Sequence, residues 1–163
     1  MSNTALITGS YGGLGTCFTN IHAKKGGDLV LVGRSQEKLD LQAKEMVEKY
    51  HVKAHTIAAD LSKSEEATQM IYDTCKKNGW QIDILINNAG FGGLTDTKAF
   101  AHTVKPDKIA EDGYNGMMKG ELNVVSGLPA YQKPFVSMTA MFPQKMMLDY
   151  VYGLQISNGT KNK

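Results

Sequence analysis

Short apolar runs alternate with longer stretches of helical spacing over the first half of the chain. The runs predict four strands, one beginning at Ala5 and the others at residues 29–32, 53–59 and 82–86. Between them, apolar residues recur every three or four positions, which predicts three helices. Leu29–Val32 is continuously apolar, as in strands of a parallel sheet that are buried on both faces. The pattern therefore predicts an α/β fold with a doubly wound parallel sheet.

The connections and helix ends refine this prediction. Right-handed crossovers give the strand order 3-2-1-4, with a ligand crevice at the carboxyl ends of strands 1 and 4. Gly26-Gly27 is expected to end the first helix, and Ser35 to cap the second. Ser62–Glu65 matches a capping box, which would open the third helix. His22 is expected on the surface of the first helix.

Beyond residue 93 the pattern changes. Pro106 marks the start of a fourth helix, which Gly120 ends, and residues 122–127 are predicted to form a short strand. Residues 131–156 are rich in aromatic side chains and methionine and are predicted to be helical in part after Pro143. Two roles for this apolar segment stay open: packing on the sheet, or joining copies of the chain as a homo-oligomer.

Composition excludes several classes of protein. The 163 residues are 42% hydrophobic and 21% charged with a net charge of +2, which is ordinary for one globular domain. No Lys/Arg-rich block indicates nucleic acid binding, and no apolar run approaches the roughly 20 residues of a membrane span. Two cysteines and no leader sequence predict a reduced, cytoplasmic protein. No metal site is predicted, because His51 and His55 have no accompanying ligand cluster.

A glycine-rich turn follows the first strand. Gly9, Gly13 and Gly15 lie between that strand and the first helix. Such a turn directs unpaired backbone N–H groups out of the helix N-terminus, whose partial positive charge suits a pyrophosphate. Glycines permit the tight turn, the approach of a ligand to the backbone, and close packing of helix and strand.

The end of the second strand bears on the choice of cofactor. Dinucleotide-binding folds place here the residue that meets the adenosine ribose, and an acidic side chain would select NAD(H). This chain has Gly33 and Arg34, with Lys38 one turn later. A small residue followed by a basic one suits a 2′-phosphate, so NADP(H) is favoured over NAD(H). The alternative is that Arg34 is a solvated loop residue.

Three further motifs occur in order along the chain. Thr8–Gly15 fits Thr-Gly-x-x-x-Gly-x-Gly, Asp60-Leu61 follows the third strand, and Asn87–Gly90 reads Asn-Asn-Ala-Gly after the fourth. Together with Arg34, they resemble the short-chain dehydrogenase/reductase (SDR) family, in its NADP-dependent type, over residues 1 to about 93. The resemblance implies a Rossmann-like fold and an oxidoreductase. It also implies that Asp60-Leu61 lies against the adenine ring, and that Asn-Asn-Ala-Gly holds the sheet centre and lines the nicotinamide side.

The motifs and this resemblance give the predicted contacts with the dinucleotide. They are Gly9, Ser10, Tyr11, Gly13, Leu14, Gly15, Arg34, Asp60, Leu61, Asn88, Ala89 and Gly90.

The catalytic residues that the resemblance implies, a Ser and a Tyr-x-x-x-Lys pair, are not found. If Ser126 were that Ser, Tyr and Lys would fall at Thr139 and Pro143, and Tyr131 has Phe135 four residues later. The Tyr72-x-x-x-Lys76 sequence precedes the fourth strand and is interpreted as helix surface. In the preferred interpretation, the segment from about residue 96 is similar to the family's C-terminal end, and the middle is absent.

Residues 1–93 are thus predicted to form a dinucleotide-binding half, and 94–163 a C-terminal helix–strand–helix segment of the same domain. Two functions stay open. The first is a short-chain oxidoreductase, in whose complete relatives hydride passes between nicotinamide and a small carbonyl or alcohol. The second is a non-catalytic dinucleotide-binding module or relic, which the missing catalytic residues favour.

Overall fold

The computed structural model of the chain describes residues 3–90, 105–124, 126 and 145. Four parallel strands form one sheet in the order β3-β2-β1-β4. They are β1 (Thr4–Thr8), β2 (Asp28–Gly33), β3 (Ala54–Ala58) and β4 (Ile84–Ile86). The predicted fold class and strand order are confirmed. Strands β3 and β4 are shorter than their apolar runs, and β4 pairs with β1 only from Ile84 to Ile86.

Four helices accompany the sheet: α1 (Gly13–Lys24), α2 (Gln36–Tyr50), α3 (Ser64–Lys77) and α4 (Pro106–Met118). Ser35 caps α2 as predicted, since its Oγ accepts a 3.4 Å hydrogen bond from the Lys38 N–H. The predicted capping box before α3 is wrong. The N–H and Oγ of Ser62 donate instead to Asp60 Oδ1, at 3.2 and 2.9 Å. The Asp60 carboxylate therefore takes the acceptor role in this turn.

The two faces of the sheet have separate cores. One lies under α1, α2 and α4 and includes Ile7, Leu31, Leu39, Met46 and Tyr114. The other lies under α3 and includes Leu6, Val30, Val32, Ala67 and Cys75. Alternate residues of β1 and β2 therefore point to opposite cores, as the period of two in a strand requires.

Helix α4 packs against α1. The Tyr114 side chain is only 1% exposed, and its hydroxyl lies 2.8 Å from Nδ1 of His22 on α1. Cys17 Sγ donates a 3.0 Å hydrogen bond to Asp107 Oδ1 at the start of α4. Burial, with a further contribution from Asp107, raises the pKa of the Cys17 thiol to about 11. Cys17 is thus a packing residue held as a neutral thiol at neutral pH.

The predicted surface position of His22 is wrong. The imidazole is fully buried, with Nε2 3.0 Å from the Asn3 carbonyl and Nδ1 hydrogen-bonded to Tyr114. Burial lowers its pKa. Since the carbonyl can only accept, Nε2 carries the proton and Nδ1 accepts from the Tyr114 hydroxyl. Gly27 makes room for the ring, because a Cβ there would lie 2.1 Å from Nε2.

The strand predicted at 122–127 is not present at residues 122–124. Leu122 is 97% exposed, so this short apolar run has no sheet neighbour among the described residues. The apolar segment at 131–156, with Lys145 as its one described residue, otherwise lies outside them. In the described part of the chain, no helix combines the length and the hydropathy that crossing a bilayer requires.

Candidate functional site

Hydrogen bonds connect the carboxyl ends of β1 and β4. Thr8 Oγ1 accepts hydrogen bonds from the backbone N–H groups of Asn88 and Ala89, each at 3.0 Å. The Asn88 side-chain amide donates to the Thr8 and Gly9 carbonyls, at 3.0 and 3.1 Å. Asn88 therefore positions the glycine turn with its side chain and leaves the Ala89-Gly90 backbone at the exposed edge.

The glycine turn depends on two different properties of glycine. Gly9 has φ +64°, and a Cβ on it would lie 3.1 Å from the Ala89 Cα. A Cβ on Gly15 would lie 2.1 Å from the Gly9 carbonyl oxygen. The first position needs a left-handed backbone and the second needs close packing of α1 on the turn. Both were assigned from the motif as ligand contacts, but Gly15 is buried where α1 packs on the turn.

The N-terminus of α1 is open. Its N-cap is Gly12, without a side chain, and its first turn contains no acidic residue. A Cβ built on Gly13 meets nothing within 4 Å, and Leu14 is 37% exposed. The helix therefore presents positive partial charge at a surface where a pyrophosphate can approach the backbone.

The end of β2 carries Tyr11 and two basic side chains. Tyr11 Oη accepts hydrogen bonds from the backbone N–H groups of Arg34 and Ser35, at 3.0 and 3.1 Å. The Lys38 Nζ lies 5.6 Å from the centre of the Tyr11 ring, and the Arg34 side chain is exposed. The Ser35 N–H and, more weakly, the Arg34 N–H and the charges of Arg34 and Lys38 lower the pKa of Tyr11 against the opposing effect of burial.

Three predicted contact residues are placed differently from the rest. Ser10 is fully buried, its N–H donates to the Val32 carbonyl, and its carbonyl accepts from Gln42 Nε2. Its side chain therefore faces the interior. Asp60 is exposed, with its carboxylate bound to Ser62, which lowers its pKa. Leu61 packs against the core under α3.

The alternative catalytic residues lie away from this edge. Ser126 Oγ donates a 2.7 Å hydrogen bond to Asp112 Oδ2 on α4. Tyr72 is 59% exposed on α3, with Lys76 Nζ 5.9 Å from its ring, and Tyr131 lies outside the described residues. No group of His, Cys, Asp and Glu able to hold a metal ion occurs in the described ranges.

Sequence reasoning missed Thr8 as a site residue and Ser35 as a donor. Thr8 was visible as the first residue of the glycine motif, but its acceptor role depends on residues 80 and 81 positions later. The Ser35 N–H carries no signal in the sequence, because any residue except proline supplies one.

Replacing Thr8 with valine should lower the free energy of unfolding by about 2 kcal/mol, because the Ala89 N–H loses its acceptor while the shape is kept. The Asn88 N–H loses one of its two acceptors and keeps the Ile86 carbonyl. Thr16→Val is the matched control, since that exposed hydroxyl makes only a 3.5 Å contact with the Ser10 carbonyl. Urea denaturation measures both variants. Equal losses would mean that Thr8 does not fasten β1 to β4.

Several known proteins match this chain. A family model described as short chain dehydrogenase matches residues 3–131. Human very-long-chain 3-oxoacyl-CoA reductase is 41% identical over 88 residues, which are 53% of this chain and 27% of that protein. The chain thus spans about a quarter of the length of the curated relatives it matches.

Solved structures also match this chain. L-sorbose reductase from Gluconobacter frateurii, complexed with NADPH and L-sorbose, is 31% identical with a TM-score of 0.54. That match covers 60% of this chain and 36% of the reductase. NAD⁺-bound xylitol dehydrogenase is 28% identical with a TM-score of 0.52, over 61% of this chain and 40% of that one. Structures with either nicotinamide cofactor are therefore similar to this chain.

Proposed function

The chain belongs to the short-chain dehydrogenase family, and from that premise we propose that it binds NADP(H) at the carboxyl edge of its sheet. The proposal rests on one observation: at the end of β2, the Arg34 side chain is exposed and Lys38 lies beside Tyr11. Residues 33–35 contain no carboxylate that would accept hydrogen bonds from a 2′-hydroxyl. Two cations suit a phosphate dianion better than a neutral diol.

The described residues fit the rest of a dinucleotide. The open N-terminus of α1 at Gly13 suits the pyrophosphate. A Cβ built on Gly13 would meet nothing within 4 Å, so there is room for a ligand beside this backbone. Ala89 and Gly90 extend from the end of β4 on the side proposed for the nicotinamide. Asn88 acts through the turn and is a positioning residue. When bound, the nicotinamide would supply hydride chemistry toward a carbonyl or alcohol, as proposed for complete relatives.

The second candidate function is a dinucleotide-binding module without catalysis, and the position of α4 favours it. Strands β1 to β3 advance in one direction with α1 and α2 on one face, and α3 returns across the other face to β4. A right-handed crossover from β4 to a strand beyond it would place its helix on the α3 face. Helix α4 packs instead with α1, through Tyr114.

This placement supports the interpretation of 94–163 as the family's C-terminal segment. In that interpretation the strand and helix that would carry the Ser and the Tyr-x-x-x-Lys pair are missing. The hydrogen bond from Ser126 to Asp112 supports it too. Ser126 is the serine that the alternative interpretation makes catalytic, and this bond holds its hydroxyl on Asp112 of α4. Steady oxidation of NADPH in the presence of a panel of small carbonyl compounds, lost in Tyr131→Phe, would overturn the non-catalytic candidate.

Arg34→Asp should weaken NADPH binding by about ten- to a hundredfold, because it removes a charge-assisted contact and places a carboxylate beside the phosphate. NADH binding should stay equal or improve, since the new carboxylate can accept from the 2′-hydroxyl. Nicotinamide fluorescence measures both affinities. Lys77→Asp, the same charge reversal on the exposed end of α3, is the control. Equal affinity of Arg34→Asp and wild type for NADPH would exclude the phosphate assignment.

A further inference from the structure

The Tyr11 hydroxyl lies on the two backbone donors that follow β2. Its oxygen accepts from the Arg34 N–H at 3.0 Å and from the Ser35 N–H at 3.1 Å. A phenol oxygen has two lone pairs, so both acceptor positions are filled. The group left over is the phenol's own proton, which has no acceptor among the residues that the structure describes.

The ring is held in this place. Gly33 lies beneath it, and a Cβ on Gly33 would come within 2.4 Å of the Tyr11 Cε1. The side chain is half-buried. Because Gly33 has no side chain, the ring can pack closely against the end of β2. Tyr11 is therefore preorganised before any ligand arrives, which reduces the entropic cost of using it.

Two basic side chains, Arg34 and Lys38, contribute positive charge near the Tyr11 phenol. The Lys38 Nζ lies 5.6 Å from the ring centre. Arg34, whose backbone N–H donates to the hydroxyl, has an exposed side chain. The Ser35 N–H above all lowers the pKa of this phenol, and a phenol of lowered pKa is a stronger hydrogen-bond donor. An O–H donor on a surface that also carries Lys38 and Arg34 suits a phosphate dianion.

We propose that Tyr11 determines cofactor choice in this protein by donating a hydrogen bond from its hydroxyl to the 2′-phosphate of NADP(H). The inference rests on the proposed function and adds a specificity-determining residue to it. Tyr11 occupies the N–H groups of Arg34 and Ser35, so that they are not free for a ribose diol, and it offers its own O–H donor in their place. The basic side chains attract the phosphate, and Tyr11 gives it a fixed position.

The test uses fragments that differ only in the group concerned. Isothermal titration of the full chain with 2′,5′-ADP and with 5′-ADP separates the contribution of the 2′-phosphate from that of the remaining nucleotide. Tyr11→Phe should bind 2′,5′-ADP about tenfold more weakly than wild type and bind 5′-ADP equally well. Tyr72→Phe, at the exposed tyrosine of α3, is the matched control and should change neither affinity.

A second measurement follows the titration of the Tyr11 hydroxyl in the wild-type protein, with and without bound nucleotide. In protein with ¹³Cζ-labelled tyrosine, the Tyr11 resonance is identified by its absence in Tyr11→Phe. Saturation with 2′,5′-ADP should raise the pKa at which this resonance titrates, because a hydrogen bond to a nearby dianion favours the protonated form of the phenol. Saturation with 5′-ADP should leave that pKa close to its value in the free protein.

The outcomes separate this inference from the proposed function. Tight binding of 2′,5′-ADP that is unchanged or improved in Tyr11→Phe would overturn the role of Tyr11 and leave the NADP(H) site standing. Improved binding would identify Tyr11 as a plug over the two N–H donors. Failure of folded wild-type protein to bind either fragment would overturn both.

Discussion

Replacing Gly15 with alanine is expected to lower the free energy of unfolding by about 3 kcal/mol, at the upper end of the cost of overpacking a core. The new Cβ would lie 2.1 Å from the Gly9 carbonyl oxygen and 2.9 Å from the Asn88 side-chain nitrogen. The Gly9 oxygen is backbone and already accepts from the Gly12 N–H and the Asn88 amide. Relief of the clash therefore requires α1 to move away from β1.

Gly13→Ala is the control for this prediction, two residues earlier in the same helix. A Cβ there meets nothing within 4 Å, and alanine is favoured over glycine in a helix by about 0.5–1 kcal/mol. The two substitutions should thus have opposite signs in urea denaturation. Equal effects would show that α1 does not pack on the glycine turn as described. Gly13→Ala should also weaken NADPH binding if the pyrophosphate occupies the open space at Gly13.

Replacing Tyr114 with alanine is expected to lower the free energy of unfolding by about 3–5 kcal/mol, as for other large buried aromatic residues. The side chain is 1% exposed and satisfies Nδ1 of the buried His22. Its loss leaves a cavity between α1 and α4 and an imidazole nitrogen without a partner. Thermal or urea unfolding, followed by circular dichroism, measures the change.

Tyr72→Ala is the matched control for Tyr114→Ala. Tyr72 is 59% exposed on α3, so its replacement should change stability by no more than about 0.5 kcal/mol. A small effect in both variants would mean that α4 is not docked on α1 in solution. The packing argument for the missing central segment would then lose its basis.

The strands, their order and most helix ends were predictable because they depend on local patterns and one chirality rule. Leu29–Val32 is apolar without interruption, and Ser35 precedes a helical pattern, so each signal is contained within a few residues. Order 3-2-1-4 follows from right-handed crossovers. The strand predicted at 122–127 lacked such support. A short apolar run becomes a strand only beside a partner, and the described Leu122 has none.

Features that depend on distant residues were not predictable. The burial of His22 requires Tyr114, 92 residues later, and no local rule connects them. Ser10 was assigned to the ligand because it lies in the glycine motif, but its backbone bonds to β2 and α2 direct it inward. The hydroxyl of Tyr11 finds its donors 23 and 24 residues away.

Cytoplasmic localisation stays a prediction. Association through the apolar C-terminal segment stays a prediction as well, since the segment lies almost entirely outside the described residues. The same holds for the absence of the family's middle segment before about residue 96. The chemistry of the carboxyl edge is independent of all three.

The most direct test of the central claim is a titration of the purified full chain with NADPH, and in parallel with NADH, followed by nicotinamide fluorescence. We expect saturable binding of both, with NADPH tighter by about tenfold or more because of its charge-assisted contacts. Circular dichroism of the same sample establishes that the chain is folded. A folded chain that binds neither cofactor, or binds NADH more tightly, would contradict the NADP(H) site at the end of β2.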